Sequence, residues 1–188
     1  MKIVGLVGSN AQPSYNRLLL QYIKVHFSDL FDMELVEIDQ IPLFNQDEDQ
    51  TQTEVIRNIE TKLKAADGVI ISTAEHNHTI PPVLKSCLEW LSFKIHPLDQ
   101  KPVMVIGASY YQQGSSRAQL HLRQILDAPG VNAFVMPGNE FLLANAKAAF
   151  DAEACLKDPK TIAYLSQCLN KFKRFTTIVN QWSDEEHG

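Results

Sequence analysis

Residues 68–85 read "GVIISTAEHNHTIPPVLK". A short apolar, β-branched run is followed by a polar loop carrying two histidines, a glutamate and an asparagine, and then by two prolines. The run Gly68 to Ser72 has the length and composition of a buried strand. The prolines mark a helix start near Pro81, where a ring is tolerated because the first-turn N–H has no helical acceptor. A strand that ends in a polar loop and turns straight into a helix is the repeating unit of an α/β sheet.

The same alternation extends in both directions. Lys2 to Val7 reads as a strand ending in Gly8-Ser9, and from Ser14 the apolar residues Leu19, Tyr22, Ile23 and Phe27 recur at helical spacing. Met33 to Ile38 is a second strand, followed by a polar, flexible loop through "FNQDEDQTQT" and a helix from about Thr53 to Ala66. Beyond the opening stretch, Pro102 to Ser109 is the fourth strand. Its helix carries Ala118, Leu122, Ile125 and Leu126 on one face, with Ser116 and Gln119 at capping-box spacing. Val131 to Met136 is the fifth strand, and a final helix runs from about Pro159 to Trp182. Strands separated by helical lengths imply parallel pairing through right-handed crossovers. Their near-continuous apolar character suits a sheet covered on both faces. The expected architecture is a flavodoxin-like three-layer α/β/α sandwich with a five-stranded parallel sheet in the order 2-1-3-4-5.

Composition bounds the function. The 188 residues, 45% hydrophobic, are enough for one sizeable core and too few to favour two full domains, so residues 1–188 are read as a single domain. A net charge of −5 opposes a phosphate backbone, and nucleic acid is not an expected partner. The basic group Lys171, Lys173 and Arg174 is read as the solvated face of a helix. Cys87, Cys155 and Cys168 form no CxxC pair and are odd in number, which fits reduced thiols in a cytoplasmic protein. No apolar stretch reaches the length of a membrane span, and the apolar part of "MKIVGLVGSN" is too short for a signal segment.

In such a sheet ligands bind beyond the carboxyl ends of the strands, where the winding reverses between strands 1 and 3. That rule singles out the loops 8–16, 73–80 and 108–116. The first, "GSNAQPSYN", lacks the spacing of a nucleotide-triphosphate loop or of a dinucleotide fingerprint. It offers the small donors Ser9, Asn10, Ser14 and Asn16 beside a helix N-terminus, which favours an anion. Simple capping by Ser14 explains the same residues. In the second, His76 and His78 form a His-x-His pair, but a metal site needs three or four ligands and the chain's other histidines stand at no matching spacing. A glutamate beside histidines also suits acid–base work, and a plain structural loop is the third option. In the third, Ser109 and Gly114 allow close approach to a ring, and Tyr110 and Tyr111 wall an aromatic pocket or serve packing. Arg117, in a helix first turn, is poorly placed for the helix dipole and needs a partner: a carboxylate of this chain, a second subunit or a ligand.

Together the three loops resemble the NAD(P)H-dependent FMN reductase family, with its quinone-, azo- and chromate-reducing relatives. The family pattern G-S-x-R-x-x-S-x-N, then P-E-Y-N-x-x-I-P-x-x-L-K, then roughly S-x-G-x-x-G-x-R-x-Q-x-x-L-R corresponds in order and loop position to "GSNAQPSYN", "AEHNHTIPPVLK" and "SYYQQGSSRAQLHLR" over about residues 1 to 136. The resemblance implies that Ser9, Ser14 and Asn16 bind the FMN phosphate. It places Glu75, His76 and Asn77 along the isoalloxazine edge, with Thr79 assisting and Ser109 and Gly114 closing the other side. It assigns Arg117 to structure or subunit contact. Three positions depart from the pattern: Ala11 replaces the arginine of the first loop and removes a bidentate phosphate partner, His76 replaces the tyrosine, and Ala74 the proline. These changes imply weaker FMN binding or an altered potential.

The implied activity is an NAD(P)H-dependent, FMN-containing oxidoreductase that passes hydride or electrons to a flavin, quinone, azo compound or similar acceptor. No protein nucleophile or catalytic acid is required, because the cofactor carries the chemistry. A non-enzymatic flavin-binding electron carrier or sensor is the alternative. A homodimer or homotetramer is expected from the resemblance, with Arg117, Leu120 and Trp90 each either at the interface or buried in its own subunit.

Overall fold

The computed structural model describes residues 1–187, with side chains described as far as Ser183. Its elements run β1 (Lys2–Gly8), α1 (Tyr15–His26), β2 (Asp32–Val36), α2 (Glu54–Ala65), β3 (Gly68–Thr73), α3 (Pro82–Phe93), β4 (Pro102–Ala108), α4 (Ser116–Leu126), β5 (Phe134–Val135), β6 (Phe141–Leu143), α5 (Ala146–Ala149) and α6 (Pro159–His187). Every strand pairing is parallel, and the order is β2-β1-β3-β4-β5, with β6 also pairing to β4. The flavodoxin-like order expected from the sequence is the order found.

The pleat explains the layers. Along β3, Val69 and Ile71 pack into one apolar cluster with Ile56, Ile59 and Leu63 of α2, Leu84 and Leu88 of α3 and Leu122 of α4. Ile70 between them faces a second cluster with Leu19, Leu20 and Ile23 of α1 and Leu165, Leu169 and Phe172 of α6. Alternate residues of one continuously apolar strand thus feed two cores, because successive side chains point to opposite faces.

The fifth position of the sheet differs from the expected single strand 131–136. Phe134 and Val135 pair with the start of β4 and Phe141 to Leu143 with its end, so two short strands share one edge. Between them lie Pro137, which has no amide proton to donate to a ladder, and Gly138 at φ +68°. The break exposes carbonyls that Arg123 satisfies: its guanidinium donates to Met136 O at 2.9 Å and to Asn139 O at 2.7 Å.

One further expectation is corrected. The polar segment 44–53 is tied down on α3. Phe44 sits edge-on to Trp90 with centroids 4.7 Å apart, its amide donates to Ser86 Oγ at 3.3 Å, and Asp49 pairs with Lys94 at 2.8 Å. Of the two places left open for Trp90, a subunit interface or its own core, the structure has the core. Trp90 is fully buried in its own subunit and donates its indole N–H to Pro42 O at 2.9 Å. Its size and polar handle anchor the loop that sequence alone read as loose.

Candidate functional site

The carboxyl ends of β1, β3 and β4 open into a cleft of about 200 Å³. Its walls come from all three of the loops singled out in the sequence: Ser9, Ala11, Pro13, Ser14, Tyr15 and Asn16 from the first, Ala74, Glu75 and His76 from the second, and Ala108, Ser109, Tyr110 and Tyr111 from the third. Of the nine expected site residues, Ser9, Ser14, Asn16, Glu75, His76 and Ser109 line it. Asn77, Thr79 and Gly114 do not.

The first wall is the N-terminus of α1. Ser14 is the N-cap in extended conformation, and its Oγ accepts from the Arg17 amide at 3.3 Å. The capping reading of Ser14 is therefore correct. It leaves the hydroxyl proton free to donate, and the first-turn amides of Tyr15 and Asn16 have no acceptor within the helix. Asn16, by contrast, is 3% exposed and both polar atoms of its amide have partners. Its Nδ2 donates to Ala108 O at 3.1 Å, while its Oδ1 accepts from Ser72 Oγ and Ala108 N, each at 2.9 Å. This side chain staples α1 to the ends of β3 and β4. Ser9 is buried with its Oγ accepting from the Ala11 amide at 3.2 Å, which shapes the turn after β1.

A residue that sequence reasoning passed over completes this wall. Arg17 donates both Nε and Nη2 to the Glu37 carboxylate at 2.7 Å and Nη1 to Ala11 O at 3.0 Å and to Gln12 Oε1 at 3.3 Å. The hydrogen bonds with Glu37 raise the guanidinium pKa above its usual value. The fork thus clamps the loop to the segment just after β2. Its signal was present in the sequence, since a cation in a helix first turn is unfavourable without a partner, the argument that singled out Arg117.

The second wall is the loop after β3. His76 and Thr79 exchange backbone hydrogen bonds at 2.9 and 3.0 Å around Asn77 at φ +49° and His78 at φ +66°. This is a type I′ turn, a conformation that asparagine tolerates well. The turn carries Asn77 and His78 away from the cleft as exposed tip residues. Thr79 Oγ1 meets His121 Nδ1 at 3.0 Å. Glu75 has a definite partner: its Oε2 accepts from the amides of Arg117 and Ala118 at 3.1 and 3.4 Å, and Oε1 lies 3.6 Å from Arg117 Nη1. The carboxylate so caps α4 from another loop, which replaces the expected Ser116–Gln119 capping box. Gln119 instead is buried and donates to Ser115 Oγ and Phe141 O. Of the three partners its position left open, Arg117 has a carboxylate of its own chain.

The third wall follows β4. A Cβ at Gly107 would run into the Ser115 hydroxyl and lie 2.6 Å from Thr73 O, so the β4 end and the following loop close only around glycine there. Gly114, at φ +57°, packs against Leu142 and locks the loop from behind. Tyr110 is held edge-on by Tyr15 at 5.1 Å, and Tyr15 stacks on Phe150.

The donor set suits a phosphate monoester: a free hydroxyl proton and first-turn amides, with no lysine and with the nearby carboxylate of Glu75 already engaged by α4. The aromatic third wall suits a planar ring. Among the described residues, no group of three or more histidine, cysteine or acidic side chains is arranged to hold a metal ion, and no helix is long and apolar enough to cross a membrane.

Comparison with known proteins agrees with this chemistry. A subunit of the NADH:(hydroxy)cinnamate reductase of Vibrio ruber is 42% identical over 185 residues, 98% of this chain and 92% of that protein. Subunit 2 of an NADH-dependent flavin reductase of Lactobacillus johnsonii is 39% identical over 93% of this chain and 97% of its own length. The structure of FerB, a flavoenzyme NAD(P)H:(acceptor) oxidoreductase from Paracoccus denitrificans, superposes with a TM-score of 0.84 over 94% of this chain and 97% of that one, at 23% identity. Residues 1–148 match the family model for the NADPH-dependent FMN reductases. With most of its length inside that match and its three strand-end loops forming one cleft, the chain belongs to the NADPH-dependent FMN reductase family, as an oxidoreductase working with FMN and NAD(P)H.

Proposed function

We propose that the cleft holds FMN with its phosphate at the N-terminus of α1 and its ring between the loops after β3 and β4, and that a planar small molecule is the electron acceptor. The carrying observation is that the amide-rich helix terminus and the aromatic wall open into one cleft at the reversal point of the sheet. Ser14 and the amides of Tyr15 and Asn16 hold the anion, and Ser9 with Arg17 shapes the loop around it. His76 and Ser109 flank the ring, and Glu75 fixes one flank relative to the other by capping α4. Asn77, Thr79 and Gly114 act behind the cleft, as turn, support and hinge-free closure.

Bound FMN supplies the hydride and electron transfer. The protein's part is to orient donor and acceptor in turn over one ring face and to keep solvent from the other. The hydroxycinnamate named for one relative and the flavin named for another are both planar, and we assign the same acceptor class to this chain. A cytoplasmic, single-domain homodimer or homotetramer is the proposed form, with the exposed Leu120 of α4 in the interface. Light scattering measures its mass, and a second, different subunit would appear there as a partner required for activity.

Purified protein should carry flavin absorbance bands at about one per chain and oxidise NADH or NADPH steadily when a quinone is supplied. No oxidation at saturating FMN would refute the enzyme reading. Flavin bands without steady turnover would leave the carrier or sensor in its place.

A further inference from the structure

We infer that Tyr111 is a specificity-determining residue of the cleft, a stacking plate for the planar electron acceptor. The inference rests on the FMN-binding reading of the cleft and adds the group that selects what docks there.

Two observations carry it. Tyr111 lines the cleft yet is 75% exposed, among the most exposed of the large hydrophobic side chains. Its neighbour Tyr110 is engaged edge-on by Tyr15, whereas Tyr111 takes part in no aromatic pair among the described residues. An aromatic ring left in water at the lip of a binding cleft offers a large contact area at the cost of only two side-chain torsions.

Second, the backbone beneath the ring is fixed. The Tyr111 amide donates to Ser109 Oγ at 3.1 Å, and its carbonyl accepts from the amides of Asn145 at 3.3 Å and Gly114 at 3.5 Å. Ser109 is itself bonded through its amide to Leu143 O and through its carbonyl to the Ala146 amide, both at 2.9 Å. The loop is thereby tied to β6 and to the start of α5, so the plate is presented in a preorganised position.

The test compares the flavin-loaded wild type with Tyr111→Ala and Tyr111→Phe. Two acceptors serve as probes: 2-hydroxy-1,4-naphthoquinone, which is planar, and ferricyanide, which has no ring to stack. Isothermal titration of the naphthoquinone into oxidised protein adds a readout independent of turnover. Stacking at the upper end of the usual range corresponds to about a tenfold change in affinity. Tyr111→Ala should therefore raise the naphthoquinone KM and Kd about tenfold relative to any change in the ferricyanide KM, with kcat less affected, and Tyr111→Phe should restore both. Equal changes for the two acceptors, no change, or a rise confined to the KM for NADH would overturn the inference. So would a fall in molecular mass in Tyr111→Ala, which would place the ring in a subunit interface. Failure of the underlying reading looks different, since the wild type itself would then bind no flavin.

Discussion

Replacing Asn16 by alanine removes a side chain that joins α1 to both β3 and β4 at the mouth of the cleft. Three hydrogen bonds are lost: one donated to Ala108 O and two accepted from Ser72 Oγ and Ala108 N. Ser72 and Ala108 are buried, at 0% and 3% exposure, so their polar groups are left without partners. At about 1 kcal/mol for each net hydrogen bond, the loss is about 3 kcal/mol, with the penalty for stranded buried groups pushing it upward. For a chain of this size that corresponds to a fall in Tm of about 6–12 °C. Thermal and urea unfolding of flavin-free protein measure it directly. Asn16→Asp keeps two acceptor bonds but sets a carboxylate against the Ala108 carbonyl, so it should remain destabilised. A loss below about 1 kcal/mol in Asn16→Ala would refute the staple, because surface substitutions alone give changes of about that size or less.

Arg17→Ala should release the loop from Glu37 and Ala11 and weaken FMN binding about fivefold to tenfold, as expected of a charge-assisted clamp worth about 1–1.4 kcal/mol; fluorescence titration of FMN measures it, and Glu37→Ala should act the same way. Glu75→Ala strips the cap from α4 and should cost about 1 kcal/mol, a Tm drop of about 2–4 °C, read by thermal melting. Burial pushes the Cys87 thiol up to about 12, and Cys168 is buried too, so in native protein a thiol reagent should titrate Cys155 first; Cys155→Ser should abolish the fast phase. Asp49 is held down at about 2 by its hydrogen bonds with Lys94 and Thr51. Its folded value lies below the unfolded one, near 4, so its contribution is present at neutral pH and lost as pH falls through the window from about 4 to about 2. Asp49→Asn should lower Tm at pH 7 and leave it nearly unchanged near pH 2.

Much of the cleft was legible before any coordinates. The strands show as apolar runs because a doubly covered sheet needs apolar side chains on both faces, as Val69, Ile70 and Ile71 demonstrate. The reversal point of the winding then marked three loops, and all three line one cleft. Charge placement was informative as well. Arg117 in a helix first turn pointed to a specific partner, and Glu75 of the same chain is one. The same test applied to Arg17 points to Glu37.

The stretch "GVIISTAEHNHTIPPVLK" determined by itself a buried strand, a polar turn and a proline-started helix, since those rest on local periodicity and on the missing proline N–H. Which polar atoms of a loop face a ligand is a different kind of fact. Asn16, Glu75 and Thr79 each have suitable donors or acceptors, but the fold spends them on Ala108, α4 and His121. Likewise, the carbonyls exposed where the sheet edge splits into β5 and β6 are satisfied by Arg123, thirteen residues from Met136 and brought to it by α4. Local sequence sets the conformation of each segment through short-range sterics and patterning. The partners of buried polar groups are chosen by whichever long-range packing satisfies them all at once, and only the tertiary structure decides that.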